Sequence, residues 1–228
     1  MIKKLNNIGD CGIVCDFGDE VNKSINTSVI KLFHHIKNQV SKGNLEGILN
    51  YTPSYNKLII NFDLEKINSA KIIDFVKSVD FSKLNISKNS KIWTIPVCYD
   101  FEMDLSNMSE ILKISKDEII NIHLNTNFFI YMVGFIPGHP FMGDLDSKIF
   151  LNRLKTPRVK IPAGSVGIVE KFCNIYPYES PGGWNIIGRT PIKLFNKKDE
   201  SNPCLLSPGD SVKFKSISKK EFEKLNNE

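Results

Sequence analysis

Residues suited to ligand chemistry crowd into one part of the chain, residues 134–191, where eight glycines and seven prolines punctuate the sequence. The first group is GFIPGHPFMGDLD, residues 134–146. Its prolines and glycines fix a tight loop, which can bring backbone N–H groups and His139 up to a ligand. The same residues equally suit a rigid hairpin with a surface histidine. The second group is TPRVKIPAGSVG, residues 156–167. Thr156, Arg158 and Lys160 lie just upstream of Gly164 and Ser165, an arrangement suited to an anion held by backbone amides and an arginine fork. A β-turn carrying surface charge is the plainer alternative. The GxxxxGK[ST] spacing of a phosphate loop is absent.

The third group is PGGWNIIGRTP, residues 181–191. Gly182 and Gly183 permit close backbone approach. Trp184 suits a barrel core or rim. Of the 30 basic residues only Arg153, Arg158 and Arg189 are arginines. A guanidinium serves where a planar, two-pronged contact is needed, with a carboxylate, a phosphate or a buried partner. Between the second and third groups lie Tyr176, Tyr178 and Glu179, and a lone glutamate is weak evidence for a general base. No GxSxG elbow and no HExxH motif occurs.

Composition narrows the classes. Hydrophobic residues make up 41% and charged residues 24%, as in an ordinary globular chain. The net charge of +5 comes from scattered lysines, not from basic clusters interleaved with aromatics, which argues against nucleic acid as a partner. The longest apolar run, FFIYMVGFI, is far short of the roughly 20 residues of a membrane helix, and the N-terminus lacks an apolar signal core. A cytoplasmic protein with no membrane partner is expected. Five widely spaced cysteines without a CxxC pair suggest reduced thiols, not a metal corner.

The elements that position these groups fall into two halves. The first reads β-β-α-β-β-α: GIVCDF as a strand, a helix carrying Ile25, Val29, Leu32, Ile36 and Val40 that stops near Gly43, the strands GILNYT and KLIINF, and a helix over residues 67–79. That pattern gives a sheet covered by two helices. A polar stretch around residues 82–91 marks the boundary. In the second half, IWTIPV, FFIYMVGF, SVGIVE, WNIIG, PIKLF and SVKFKSI are short strands divided by Gly/Pro turns, the pattern of a closed or nearly closed barrel. Ser115 and Glu118 form a capping-box pattern ahead of a helix. The last ten residues suggest a frayed helix.

Taken in order and spacing, GFIPGHPFMGDLD, TPRVKIPAGSVGI, IYPYESPGGWNIIGRTPIKLF and LLSPGDSVKF resemble the family of 5-oxoprolinase B subunits. That family is also called KipI-like or allophanate hydrolase subunit 1, and corresponds to carboxyltransferase subdomains C and D. The upstream stretches GDCGIVCDFGDEVN, YTPSYNKLIINFD and IWTIPVCYD extend the resemblance over nearly the whole chain. It implies an α+β fold: a small α/β domain over residues 1–85 and a cyclophilin-like β-barrel over residues 86–228. It also implies a heteromeric complex with two further proteins, one KipA-like and one LamB/YcsF-like. That complex would open 5-oxoproline to glutamate with ATP as a substrate and no tightly bound metal, and this chain would be inactive alone.

The substrate- or nucleotide-binding residues the resemblance suggests are His139, Thr156, Arg158, Gly164, Ser165, Gly182, Gly183, Trp184 and Arg189, with no catalytic residue assigned. A carboxyltransferase component acting on urea or allophanate, and a non-catalytic inhibitor of a sensor histidine kinase, are the other roles in the family. One block departs from the family pattern. Glu170-Lys171-Phe172-Cys173-Asn174 stands where Gly-Gly-Gln-Thr-Gly is usual. Asn174 is expected to take the left-handed conformation in place of glycine, and Phe172 removes an amide that could touch substrate.

Overall fold

The computed structural model describes residues 2–84 and 90–227. The chain divides into two compact units, Met1–Ser90 and Lys91–Glu228. The boundary expected after residue 85 lies outside the described residues.

The first unit runs β1 (Lys4–Ile8), β2 (Gly12–Asp16), α1 (Lys23–Ser41), β3 (Ile48–Pro53), β4 (Lys57–Phe62) and α2 (Ser69–Ser78), the order expected from the sequence. The four strands form one antiparallel sheet in the order β1-β2-β4-β3. Asn22 caps α1 by accepting the Ile25 N–H at 2.9 Å, and the chain leaves the helix through Gly43 at φ +77°. Val29, Leu32 and Ile36 of α1 and Ile72 and Val76 of α2 bury against Ile13, Cys15, Leu58 and Ile60 of the sheet. Alternate strand residues therefore face the helices, which is what a half-covered sheet requires.

The second unit is mixed α/β around a curled sheet. Its strands are β5 (Ile92–Val97), β6 (Phe128–Val133), β7 (Pro140–Gly143), β9 (Ser165–Val169), β10 (Phe172–Ile175), β12 (Asn185–Arg189) and β13 (Ser211–Ser216). Their order is β12-β9-β10-β7-β6-β13-β5, and only the β13–β5 pair is parallel. The two end strands meet. Cys98, just past β5, bridges Arg189 at the end of β12 through N–H···O bonds of 2.8 and 2.9 Å. That bridge makes a nearly closed barrel. A separate ribbon pairs β8 (Arg158–Ile161) with β11 (Ser180–Gly182).

Inside, Ile95, Val97, Phe128, Ile130, Val166, Ile168, Ile187 and Val212 share one core with Leu105 and Met108 of α3 (Leu105–Leu112) and Ile119 of α4 (Lys116–Asn125). Helix α4 starts at Ser115, whose Oγ accepts the Glu118 N–H at 3.1 Å, as the capping pattern predicts. His123 of α4 is fully buried in this core. Its Nδ1 lies 2.8 Å from the Tyr99 hydroxyl, and its ring stacks on Phe214 at 4.4 Å.

Three local expectations are corrected. PIKLF is not a strand: Phe195 makes only an isolated bridge to Cys204, because the prolines around it break a continuous ladder. The C-terminal segment is not frayed. Helix α5 (Lys219–Asn226) carries a full capping box between Ser218 and Glu221, and its Phe222 is buried with its ring 4.7 Å from that of Phe101. Asn174 is not left-handed but an ordinary residue of β10. The positive φ of that turn falls on Glu170, at +48°.

Candidate functional site

The outer ribbon and the β6–β7 loop enclose a pocket of about 250 Å³. Phe135, His139, Phe141, Arg153, Asn174, Tyr176, Pro181, Gly182 and Trp184 line it. Its floor is built by close approach. A Cβ on Gly182 would collide with the Tyr176 hydroxyl and the Ile161 side chain, so glycine is what lets β11 pass over Tyr176. Its walls are aromatic. The rings of His139 and Phe141 stack at 4.7 Å with 9° between planes, and Tyr176 and Trp184 stand at 5.2 and 6.0 Å from them, to His139 and Phe141 respectively.

The polar groups in the pocket are few and specific. His139 is 2% exposed, and burial pushes its imidazole down to about 4, so it is neutral at pH 7. The Asn174 side-chain amide donates to His139 Nε2 at 3.0 Å. With the amide so placed, Nε2 accepts and the ring proton sits on Nδ1. Both His139 Nδ1 and Asn174 Oδ1 are buried without a hydrogen-bond partner among the described residues. Such orphans cost on the order of 1–3 kcal/mol each. Burial raises the Tyr176 phenol, while its hydrogen bond from Asn174 and the positive charge of Arg153 act the other way.

The structure separates the residues the sequence grouped. His139, Gly182 and Trp184 line the pocket, whereas Thr156, Arg158, Gly164, Ser165, Gly183 and Arg189 are not among its lining residues. Arg158 forks onto the buried Asp104 with bonds of 3.0 and 2.5 Å, and Asp104 also accepts the Ile186 N–H at 2.6 Å. Arg189 donates from Nε and Nη2 to the Ala163 carbonyl, and its guanidinium lies 5.5 Å from both the Phe101 and Phe222 rings. Thr156 is exposed in a bend. Gly164, at φ +80°, donates to the Tyr176 carbonyl at 2.7 Å and accepts from Thr190. Ser165 is fully buried in β9 with its hydroxyl unpartnered. Gly183 accepts the Leu154 N–H at 2.8 Å, which ties the segment carrying Arg153 to the ribbon.

Sequence reasoning missed Phe135, Phe141, Arg153, Asn174, Tyr176 and Pro181 as pocket residues. Arg153 belongs to no motif, and only the scarcity of arginine singles it out. Asn174 was visible as a departure from the family pattern. It brings a side-chain amide into the lining of the pocket. The arrangement can hold a small, flat, polar molecule between aromatic walls. It presents a neutral imidazole, an amide and a guanidinium, with no nucleophile–base pair. Among the described residues no cluster of three or more His, Cys, Asp or Glu could hold a metal ion.

Comparison with known proteins bears on what this site belongs to. The carboxyltransferase domain family, subdomain C and D, matches residues 3–206. The 5-oxoprolinase B subunit of Bacillus subtilis is 35% identical over 232 residues, covering 96% of this chain and 95% of that protein. A conserved uncharacterized protein of Pyrococcus horikoshii is 34% identical and superposes with a TM-score of 0.56 over 96% of this chain and 100% of its own. The urea amidolyase of K. lactis shares the fold at a TM-score of 0.75 and 22% identity; this chain spans 15% of its length. With a match across both units, the chain belongs to the carboxyltransferase subdomain C and D family, among the 5-oxoprolinase B subunits.

Proposed function

We propose that the chain is the B subunit of an ATP-dependent complex that opens the lactam of 5-oxoproline to glutamate, together with a KipA-like protein and a LamB/YcsF-like protein. The observation that carries this reading is the end-to-end similarity to the Bacillus subtilis 5-oxoprolinase B subunit. The second unit is then a cyclophilin-like barrel, the complex is cytoplasmic, and the pocket around His139 holds the substrate.

The geometry supports this reading. A five-membered lactam is small, flat and amphipathic. It fits between Phe141, Tyr176 and Trp184, beside the neutral imidazole of His139. Opening an amide requires activation of its carbonyl oxygen, here by phosphoryl transfer from ATP, and then attack by water. The pocket supplies binding and orientation but neither a nucleophile nor a base, so the chemistry is completed by the partners and the chain is inactive alone.

Reconstitution with each of the three proteins omitted in turn tests this. ADP release that depends on 5-oxoproline should require all three. A three-protein complex without such release would overturn the proposal, and release by this chain alone would overturn the shared site. The fold likeness to urea amidolyase favours a second reading, a carboxyltransferase component. That reading requires a biotin-bearing partner, and avidin then abolishes turnover.

A further inference from the structure

We infer that Arg153 is the carboxylate receptor of this pocket and sets its preference for an acidic lactam; the inference rests on the pocket being the 5-oxoproline site. Arg153 alone of the three arginines has no ion-pair partner or hydrogen-bond acceptor among the described residues. Arg158 is committed to Asp104, and Arg189 to a carbonyl and two aromatic rings. Arg153 is also the arginine that lines the pocket.

Its place there is built. The Leu154 N–H is held by the Gly183 carbonyl at 2.8 Å, and a Cβ on Gly183 would come to 3.7 Å from Arg153 Nε. That is ordinary van der Waals distance, so the guanidinium stem lies against the ribbon at Gly183. His139 and Asn174 line the same pocket, with His139 Nδ1 and Asn174 Oδ1 buried behind its surface and unpartnered among the described residues. The site thus has an aromatic middle, a neutral polar end and one unpaired positive charge. That distribution matches a ring with an amide on one side and a carboxylate on the other. A planar fork suits a carboxylate better than a single ammonium does.

A nucleotide phosphate is the other oxyanion that could use Arg153. The size of the pocket, about 250 Å³, and its aromatic walls favour the small carboxylate. Kinetics of the assembled three-protein complex separate the cases, with 2-pyrrolidone, the same ring without its carboxylate, as the comparison ligand. For Arg153→Gln, KM for 5-oxoproline should rise about tenfold or more. The KM for ATP should be unchanged, and so should the inhibition constant of 2-pyrrolidone against 5-oxoproline. Arg153→Lys should recover part of the loss. The melting temperature should hold, because Arg153 pairs with no carboxylate among the described residues. An unchanged KM for 5-oxoproline in Arg153→Gln would overturn the assignment while leaving the enzyme reading standing. A rise in the KM for ATP instead would hand Arg153 to the nucleotide and equally overturn it. A wild-type complex with no 5-oxoproline-dependent turnover would remove the reading and this inference with it.

Discussion

Arg158 and Arg189 stand in the most recognisable motifs of the chain, yet their guanidinium groups are occupied within the fold. A sequence shows that a planar cation is wanted; it does not show whether the partner is a ligand or another side chain. Asp104, which takes Arg158, lies 54 residues away in the chain, with no local pattern to announce it. Asp104→Ala should therefore be costly. It strands Arg158 and the Ile186 N–H together, and loss of one partner of a largely buried pair costs about 3 kcal/mol or more. Urea unfolding of the isolated chain should show this as a lowered midpoint with an unchanged slope. A midpoint within experimental error of wild type would mean that the pair contributes nothing. His139 was legible because glycine and proline frame it. Asn174 was legible only as an oddity, since its role depends on which face of β10 it occupies and on what loop crosses that face.

At the scale of elements, helices α1 and α4 and most long strands were legible from periodicity and caps. The short pairings of β7, β8, β10 and β11 were not. Such strands have too few residues to show an alternation, and tertiary pairing alone defines them. The barrel seam is the element whose chemistry is most exacting. Cys98 and Arg189 bridge there, and a Cβ on Gly188 would stand 2.9 Å from the Cys98 carbonyl oxygen. Gly188→Ala should push the end strands apart and cost about 1–3 kcal/mol, the usual range for overpacking. Hydrogen exchange should quicken at the Cys98 and Arg189 amides before it does elsewhere in the sheet. Uniform exchange across the sheet would contradict this account of the seam. Helix α5 belongs to the same region, because Phe222 and the Arg189 guanidinium lie against each other. Phe222→Ala should release the helix at a cost of about 3 kcal/mol, seen as loss of protection confined to residues 219–226. Protection retained there would show that its capping box suffices alone.

At the scale of the whole molecule, the helix-covered first sheet followed from strand–helix alternation. The near-closure of the second sheet followed only in kind, since strand order is set by contacts between distant residues. Two buried histidines give the whole fold a pH dependence. Burial lowers His123 to about 3 and His139 to about 4 from an ordinary value of 6.5. The unfolded chain therefore binds more protons than the folded one below pH 6.5, and stability falls as pH drops toward those values. Each histidine contributes a slope of at most about 1.4 kcal/mol per pH unit. Burial, and then the charges of Lys37 and Lys42 respectively, also lower His34 and His35. Unfolding free energies at pH 7 and pH 5 should differ accordingly, and His123→Phe should reduce the difference without abolishing it. An undiminished difference would place the proton uptake elsewhere. The central claim is that the lactam reacts while held in the pocket of this chain, and one measurement addresses it: glutamate formation by the three-protein complex carrying Asn174→Leu. Leucine keeps the number and branching of the side-chain heavy atoms and removes the amide that fixes His139. The account predicts that kcat/KM for 5-oxoproline falls by about tenfold to a hundredfold, the effect of losing a buried polar contact, while the three proteins still elute together. Wild-type kcat/KM in that complex would contradict it.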